Sequence, residues 1–397
     1  MTTDPSFSTI ALSAPRSGIR AIVEASANFS DVAHLEVGEP GFQTPEHIVE
    51  AAAQALRDGW TKYSPAVGVP GLRERIVEKL KRVNRIHAGA DQVLVTVGAA
   101  EGLYVSFTTI CNPGDEVLIP DPGWSNFATM VHLAHSKPVG YSLSGENDFL
   151  PSIEELESLV TARTKAILIN SPSNPIGRVI PEAHLRELLE FANRHDLWVI
   201  SDECYDEITF GVPSVSPAAL GITDKIISVF SFSKTYAMTG WRIGYIVVPK
   251  STAPTFARMH EPLISSVSSV AQAAAIAALD GPQDCIREMR DEYARRRDLC
   301  LSILAEHGRS AACVPDSAFY LWLDTGIPDV HSGDIALELL REVSVAVAPG
   351  TAFGANGDQF LRISFAADTA VIKTGLGRVL DYLSSSPSSL PHIARHR

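Results

Sequence analysis

The sequence predicts an α/β fold with a largely parallel β-sheet, together with a smaller α+β domain. Between Val93 and Val248, short apolar runs alternate with segments of helical periodicity, a pattern typical of parallel strands joined by helices. The chain has 397 residues, which is too long for one ordinary hydrophobic core and favours two domains. After Pro282, a long charged helical pattern leads into a second, shorter alternation of strands and helices.

The individual elements follow from these runs. An amphipathic helix is predicted in TPEHIVEAAAQALRDG, with Pro45 in its first turn and Gly59 as its C-cap. Seven candidate strands then follow, and they read VLVTV, EVLIP, PVGYS, AILIN, LWVIS, IISVF and IGYIVV. Beyond the helix QDCIREMRDEYARRRDLCLSILAEHG, the candidate strands of the second region are AFYLWL, SVAVAP and FLRISF.

Composition excludes several classes of partner. The net charge of −13 argues against a protein that neutralises nucleic-acid phosphates. No apolar stretch reaches the roughly 20 residues that span a bilayer, and the N-terminus lacks the pattern of a secretory signal, so we expect a cytoplasmic protein that binds no membrane. The five cysteines are widely spaced and form no metal-ligand pattern, so we expect reduced thiols and no metal.

A first chemical motif is SFSKTYAMTGWRIGY, which follows the strand-like run IISVF. Lys234 is a candidate Schiff-base nucleophile, because burial or a cationic neighbour can free a lysine amine of its proton. Ser231, Ser233 and Arg242 are suited to hold a phosphate. Alone, the motif is weak, since a lysine after a strand is usually a solvated surface residue.

Two further motifs follow candidate strands. In SDECYDEITF, Asp202 and Tyr205 stand at the carboxyl end of a predicted central strand, where ligands gather in open α/β sheets, and the carboxylate is suited to pair with a ring nitrogen. The competing interpretation is an acidic loop or a helix start with an aspartate cap, to which Glu203, Asp206 and Glu207 are assigned. In NSPSNPIGR, the amide of Asn174 can donate to a ring oxygen, as can the Tyr205 hydroxyl.

A fourth motif, VGAAEG, joins a strand to a helix. The free N–H groups and partial positive charge of a helix N-terminus favour a phosphate, and the small side chains of Ala99 and Ala100 permit its close approach. Any strand-turn-helix unit has these properties, so the motif is not specific by itself.

Together with HLEVGEPGFQTPEHI, KYSPAVGVPGLRE, DPGWSNF and FLRISFA, these motifs resemble the class I and II aminotransferases of the fold-type I pyridoxal-phosphate superfamily, which includes aspartate and aromatic aminotransferases. The resemblance covers nearly the whole chain. It implies pyridoxal 5'-phosphate as cofactor and a mostly parallel, seven-stranded sheet in a large domain. It also implies a small domain from both chain ends and a homodimer with shared active sites.

The expected ranges follow from that resemblance. Residues 1–45 form an N-terminal arm and part of the small domain, 46–282 the large cofactor-binding domain, 283–384 the remainder of the small domain and 385–397 a flexible tail.

The resemblance also assigns roles to residues. It implies that Lys234 is the Schiff-base lysine, that Asp202 pairs with the pyridine nitrogen and that Asn174 and Tyr205 contact the ring oxygen. The remaining implied roles are ring stacking for Trp124, phosphate binding for Ser231, Ser233, Arg242, Ala99 and Ala100, substrate-carboxylate binding for Arg362, Gly38 and Asn174, and a contact with the neighbouring subunit's phosphate for Tyr63. For Tyr63, a buried core residue is the competing interpretation.

The implied reaction moves the amino group of an L-amino acid to a 2-oxo acid, with glutamate and 2-oxoglutarate as the expected couple. A pyridoxal-phosphate-dependent carbon-sulfur β-lyase is the enzymatic alternative, because the same first steps serve elimination. A cofactor-sensing regulator would need a basic DNA-binding segment, which the first residues do not show. Some members that accept dicarboxylic substrates place a lysine near the position of Ala100, and this chain has no cation there. Arg16 and Arg20 are the candidates for that charge, although a solvated arginine is the competing interpretation.

Overall fold

The computed structural model describes residues 7–15, 17–328 and 330–385. The strands described are β1 Ala33–His34, β2 Val93–Thr96, β3 Glu116–Asp121, β4 Lys137–Ser142, β5 Thr164–Asn170, β6 Trp198–Asp202, β7 Ile226–Ser231, β8 Gly244–Val247, β9 Tyr320–Asp324, β10 Val345–Ala346, β11 Ala348–Pro349 and β12 Phe360–Ser364. The α-helices described are α1 Thr9–Ser13, α2 Gly18–Ser26, α3 Glu46–Arg57, α4 Pro70–Lys79, α5 Gly98–Ile110, α6 Asn126–Leu133, α7 Ile153–Leu159, α8 Glu182–Arg194, α9 Phe232–Thr235, α10 Ala253–Ile264, α11 Ser269–Asp280, α12 Asp284–Glu306, α13 Ser332–Val343 and α14 Thr369–Ser385.

One seven-stranded sheet contains a strand from each of the seven predicted apolar runs. Its strand order is β2-β8-β7-β6-β5-β3-β4, and neighbouring strands are parallel except around β8, which is antiparallel to both β2 and β7. The predicted α/β fold with a mostly parallel sheet is confirmed.

The reversed direction of β8 follows from its short connection to β7. Residues 232–243 contain no helix longer than the single-turn α9, whereas a parallel neighbour is usually reached through a crossover built on a longer helix. The chain therefore turns back at the end of β7, and this turn carries Lys234.

Both faces of this sheet are buried, which explains the unbroken apolar runs. On one face Val93 and Val95 belong to the same hydrophobic cluster as residues of α3, α4 and α11. On the other face Leu94 lies in a cluster with Leu103 and Phe107 of α5. Successive side chains of a strand point to opposite faces, so helices on both sides hold the strands and the loops at their ends in place.

The second region forms an antiparallel sheet in the order β11-β12-β9. The predicted long helix after Pro282 is α12, which contacts α14. β1 pairs in parallel with β10, so residues near the start of the chain lie beside residues near its end. The division into domain ranges stays a prediction, and the predicted tail lies outside the described residues except for Ser385, which ends α14. Among the described helices, none is both long and apolar enough to cross a lipid bilayer.

Candidate active site

The carboxyl ends of three central parallel strands open into one cavity of about 560 Å³. Asn170 ends β5 directly beside Asp202 at the end of β6, and Ser231 ends β7. Every predicted site residue lines this cavity except Tyr63, and the lining set is Gly38, Ala99, Ala100, Trp124, Asn174, Asp202, Tyr205, Ser231, Ser233, Lys234, Arg242 and Arg362.

Lys234 projects from α9, the short turn of helix after β7. The Ser231 hydroxyl caps this turn by accepting the Ser233 N–H at 3.1 Å, which fixes the start of the helix. The Lys234 amine donates to the Gly38 carbonyl oxygen at 2.6 Å. Burial lowers the pKa of Lys234 to about 8, and the nearby Arg362 and Arg242 act in the same direction. A useful fraction of the amine is therefore free of its proton near neutral pH.

Asp202 is a buried carboxylate with spare hydrogen-bonding capacity. It is 5% exposed, and its Oδ1 accepts the Cys204 N–H at 3.1 Å. Burial raises the pKa of Asp202, because the charged form has lost most of its solvent. A carboxylate in this environment favours a cationic or N–H-bearing partner in the cavity.

Asn174 is held in place by its own loop. Its N–H donates to the Asn170 Oδ1 at 2.9 Å, and the Asn170 amide donates to the Asp202 carbonyl oxygen at 3.3 Å. The Asn174 Oδ1 accepts from Arg362 Nη1 at 3.0 Å. The side-chain oxygen is therefore used within the protein, and the amide N–H groups remain the donors that a ligand can use.

A small, cationic recess lies where β2 turns into α5. Gly98 has a φ of +73°, and a Cβ there would lie 2.6 Å from Arg242 Nη2, so only glycine fits beside the guanidinium. Arg242 donates to the Thr239 carbonyl oxygen at 2.8 Å, and this hydrogen bond orients the Arg242 guanidinium. The N-terminal N–H groups of α5, at Ala99 and Ala100, complete a site suited to an anion.

Arg362 is a buried cation with neutral hydrogen-bond partners. It is 2% exposed on β12 and donates to the Asn174 Oδ1 and to the carbonyl oxygen of Glu36. Its guanidinium carbon lies 4.3 Å from the ring centroid of Tyr320 and 4.8 Å from that of Phe353. Within the described part of the chain its Nε has no hydrogen-bond partner. Such a cation is suited to bind a carboxylate.

Trp124 and Tyr63 occupy different surroundings. Trp124 lines the cavity and packs edge-to-face on Phe127, with ring centroids 5.5 Å apart. Tyr63 is 90% exposed and lines a separate surface depression with Trp60 and Val270. The interpretation of Tyr63 as a buried core residue is therefore wrong, and its contact with a neighbouring subunit stays a prediction.

Sequence reasoning missed Tyr320, which lines the cavity from β9. The only indication in the sequence was a tyrosine, with its hydroxyl group, within the apolar run AFYLWL, and such a tyrosine is equally typical of a core strand. The acidic residues after Asp202 do lie in a loop, but none of them is a fully solvated residue. Glu203 is 1% exposed and accepts from the Ser216 hydroxyl at 3.0 Å, while Asp206 pairs with the buried Lys79.

Comparison with known proteins agrees with this geometry. The family model described as "Aminotransferase class I and II" matches residues 30–379. The chain belongs to the class I and II aminotransferases. As a member of this family it is a pyridoxal-phosphate-dependent aminotransferase, so the predicted reaction class and cofactor are confirmed. The alternative of a carbon-sulfur β-lyase is not favoured.

Individual relatives cover almost the whole chain. The "Probable aspartate/prephenate aminotransferase" of Aquifex aeolicus is 40% identical over 364 residues, which are 90% of this chain and 92% of that protein. The structure of the aspartate aminotransferase from Thermus thermophilus with maleate has a TM-score of 0.90 at 35% identity and covers 94% of this chain and 99% of its own. The aromatic aminotransferase of Pyrococcus horikoshii OT3 has a TM-score of 0.85 at 36% identity, covering 92% and 99%.

The cavity fits the cofactor of the family. It offers a partly buried amine at Lys234, a buried carboxylate at Asp202 with room for a further partner, and a glycine-lined cationic recess beside Arg242. These groups match an aldehyde, a ring nitrogen and a phosphate respectively.

Proposed function

We propose that in this aminotransferase Lys234 would attach the cofactor, accept the proton that leaves the substrate Cα and deliver it to the carbon of the cofactor aldehyde group. When bound, the cofactor supplies an electron-withdrawing ring that weakens the Cα–H bond of the attached amino acid. The burial that lowers the pKa of Lys234 to about 8 supports this role, because a base must be unprotonated to accept a proton.

Asp202 would hold the ring nitrogen in its protonated form. Its burial at the end of β6 supports this role, because a desolvated carboxylate gains most from a charged hydrogen bond. The Asn174 amide and the Tyr205 hydroxyl would donate to the ring oxygen, and Trp124 would cover the ring face. Arg242, Ser231, Ser233 and the N–H groups of Ala99 and Ala100 would bind the phosphate.

Arg362 would bind the substrate α-carboxylate, with the Gly38 backbone beside it. The observation that carries the proposal is the placement of the Lys234 amine and the Arg362 guanidinium on one cavity. An α-amino acid bears its carboxylate on the same carbon that loses the proton. A guanidinium that binds the carboxylate and an amine that acts as the base, lining the same cavity, therefore suit this class of substrate.

For the side chain of the substrate, we propose the glutamate and 2-oxoglutarate couple. Arg20 of α2 lines the cavity and is, in the described part of the chain, the one lining cation without a role above. Ile19, Val23 and Val37 supply apolar surface nearby, which suits aromatic or aliphatic side chains as well.

We also propose a cytoplasmic homodimer in which Tyr63 reaches the cofactor phosphate of the other subunit. Its 90% exposure supports this role, because a tyrosine so accessible in one chain is free to contact another.

The test is an absorbance titration of cofactor-loaded protein with a panel of L-amino acids and no oxo acid. We expect conversion to the amino form of the cofactor, one equivalent of 2-oxo acid per site and no change in Lys234→Ala. Arg20→Ala should raise KM roughly tenfold for glutamate and leave the KM for aromatic amino acids unchanged. Catalytic release of ammonia and pyruvate would contradict the proposed transamination.

A further inference from the structure

Tyr320 lies where three groups of the proposed site meet. It is 1% exposed at the start of β9 and lines the cavity. Its hydroxyl lies 2.7 Å from the Tyr205 hydroxyl, and the face of its ring lies under Arg362. A Cβ on Gly38 would lie 2.1 Å from the Tyr320 hydroxyl oxygen, so the hydroxyl is in tight contact with the backbone that accepts from Lys234.

The hydroxyl contact affects what Tyr205 can do. Burial raises the pKa of both phenols, so each keeps its proton near neutral pH. A hydrogen bond between two neutral hydroxyls uses one of their two protons. When Tyr320 is the donor, the proton of Tyr205 remains free to point at a ligand oxygen, and its donation is strengthened by the bond that Tyr205 accepts.

The ring contact affects what Arg362 can do. With its guanidinium carbon 4.3 Å from the ring centroid, the cation is stabilised by the electron-rich face of Tyr320. The two acceptors of its hydrogen bonds, the Asn174 Oδ1 and the Glu36 carbonyl, carry no net charge. Tyr320 therefore fixes the plane of the Arg362 guanidinium, while the positive charge of Arg362 stays available for an anion.

We propose that Tyr320 is a positioning residue that aligns Arg362 through its ring and Tyr205 through its hydroxyl. One side chain thereby links recognition of the substrate carboxylate to the hydrogen bonding of the cofactor ring oxygen. The inference rests on the proposed function, since it takes the roles of Arg362 and Tyr205 from there.

Two variants separate the two contacts. Tyr320→Phe removes the hydroxyl and keeps the ring; Tyr320→Leu removes both and keeps apolar bulk. Tyr141→Phe is the matched control, because Tyr141 is also 1% exposed and donates to the Leu168 carbonyl oxygen at 2.8 Å, away from the cavity. Circular dichroism and the cofactor content of each protein report whether it folds.

For Tyr320→Phe we expect the pH midpoint of the bound cofactor's absorbance change to move upward by roughly half a unit or more, because a weaker donor leaves more negative charge on the ring oxygen. The KM for amino acid should stay within about twofold, since the cation still has its aromatic face. For Tyr320→Leu we expect the same midpoint shift and a KM roughly tenfold higher for both amino acid and 2-oxo acid.

A midpoint in Tyr320→Phe equal to that of Tyr141→Phe would overturn the hydroxyl role. A KM in Tyr320→Leu no higher than in Tyr320→Phe would overturn the ring role. Failure of the proposed function is distinguishable, because it would appear in the unmodified protein as an absent half-reaction with every amino acid.

Discussion

At the scale of single residues, the environment of Lys234 has the clearest chemical consequence. Its partly buried amine donates a hydrogen bond to the Gly38 carbonyl oxygen, and the charges of Arg362 and Arg242 act on it. Burial and the charges of Arg362 and Arg242 favour the neutral amine, which is the form that attacks an aldehyde.

Capture of the cofactor should therefore depend on pH. The pKa of Lys234 is lowered from 10.5 to about 8, so the neutral fraction grows as pH rises toward 8 and is nearly complete well above it. We expect the capture rate of cofactor-free protein, followed by stopped-flow absorbance, to increase up to pH about 8 and then level off. A rate that keeps rising toward pH 10 would contradict this lowered pKa, and Lys234→Ala, which lacks the amine, provides the baseline.

At the scale of elements, the turn from β2 into α5 combines backbone and side-chain constraints. Gly98 adopts a left-handed φ of +73°, and its missing side chain leaves room for Arg242. Gly114 has a similar φ of +86°, but a Cβ there would meet nothing within 4 Å. The two glycines thus share a left-handed backbone conformation and differ in their neighbours.

This pair permits a controlled test of the phosphate site. Gly98→Ala and Gly114→Ala should each cost roughly 1–2 kcal/mol of stability from the left-handed backbone. Only Gly98→Ala should also displace Arg242 and raise the Kd for pyridoxal 5'-phosphate, by roughly tenfold or more. The Kd for pyridoxal, which has no phosphate, should change little in either variant. Equal Kd changes in the two variants would remove Arg242 and this turn from the phosphate site.

Most of the site was predictable because it stands at strand ends. Asp202 and Lys234 each follow a recognisable apolar run, and the carboxyl ends of parallel strands meet at one edge of a sheet. The direction of β8 was not evident from its apolar pattern, since buried strands of either direction look alike. Tyr320 was missed because its partner Tyr205 lies 115 residues away, and such a contact exists only after folding.

At the scale of the whole molecule, the exposure of Tyr63 bears on assembly. If Tyr63 serves the neighbouring site, mixing Lys234→Ala subunits with Tyr63→Ala subunits creates hybrids with one site that has both residues. We expect the mixed and reassembled protein to be more active than the sum of the two parent variants. Each hybrid dimer should reach up to half the activity of an unmodified dimer. Activity equal to that sum would mean that Tyr63 does not act across subunits.

The charge pattern of the cavity has a consequence for how substrates arrive. The chain carries a net charge of −13, yet the charged residues that line the cavity in the described structure are Arg20, Lys234, Arg242 and Arg362 against Asp202 alone. If Lys234 and Arg242 bind the cofactor as proposed, Arg20 and Arg362 remain for an incoming dianion. Positive side chains at the cavity of a chain with a net negative charge attract dicarboxylates to the site. Their kcat/KM should therefore fall as salt rises and the Debye length shrinks, whereas that of neutral-side-chain amino acids should respond less.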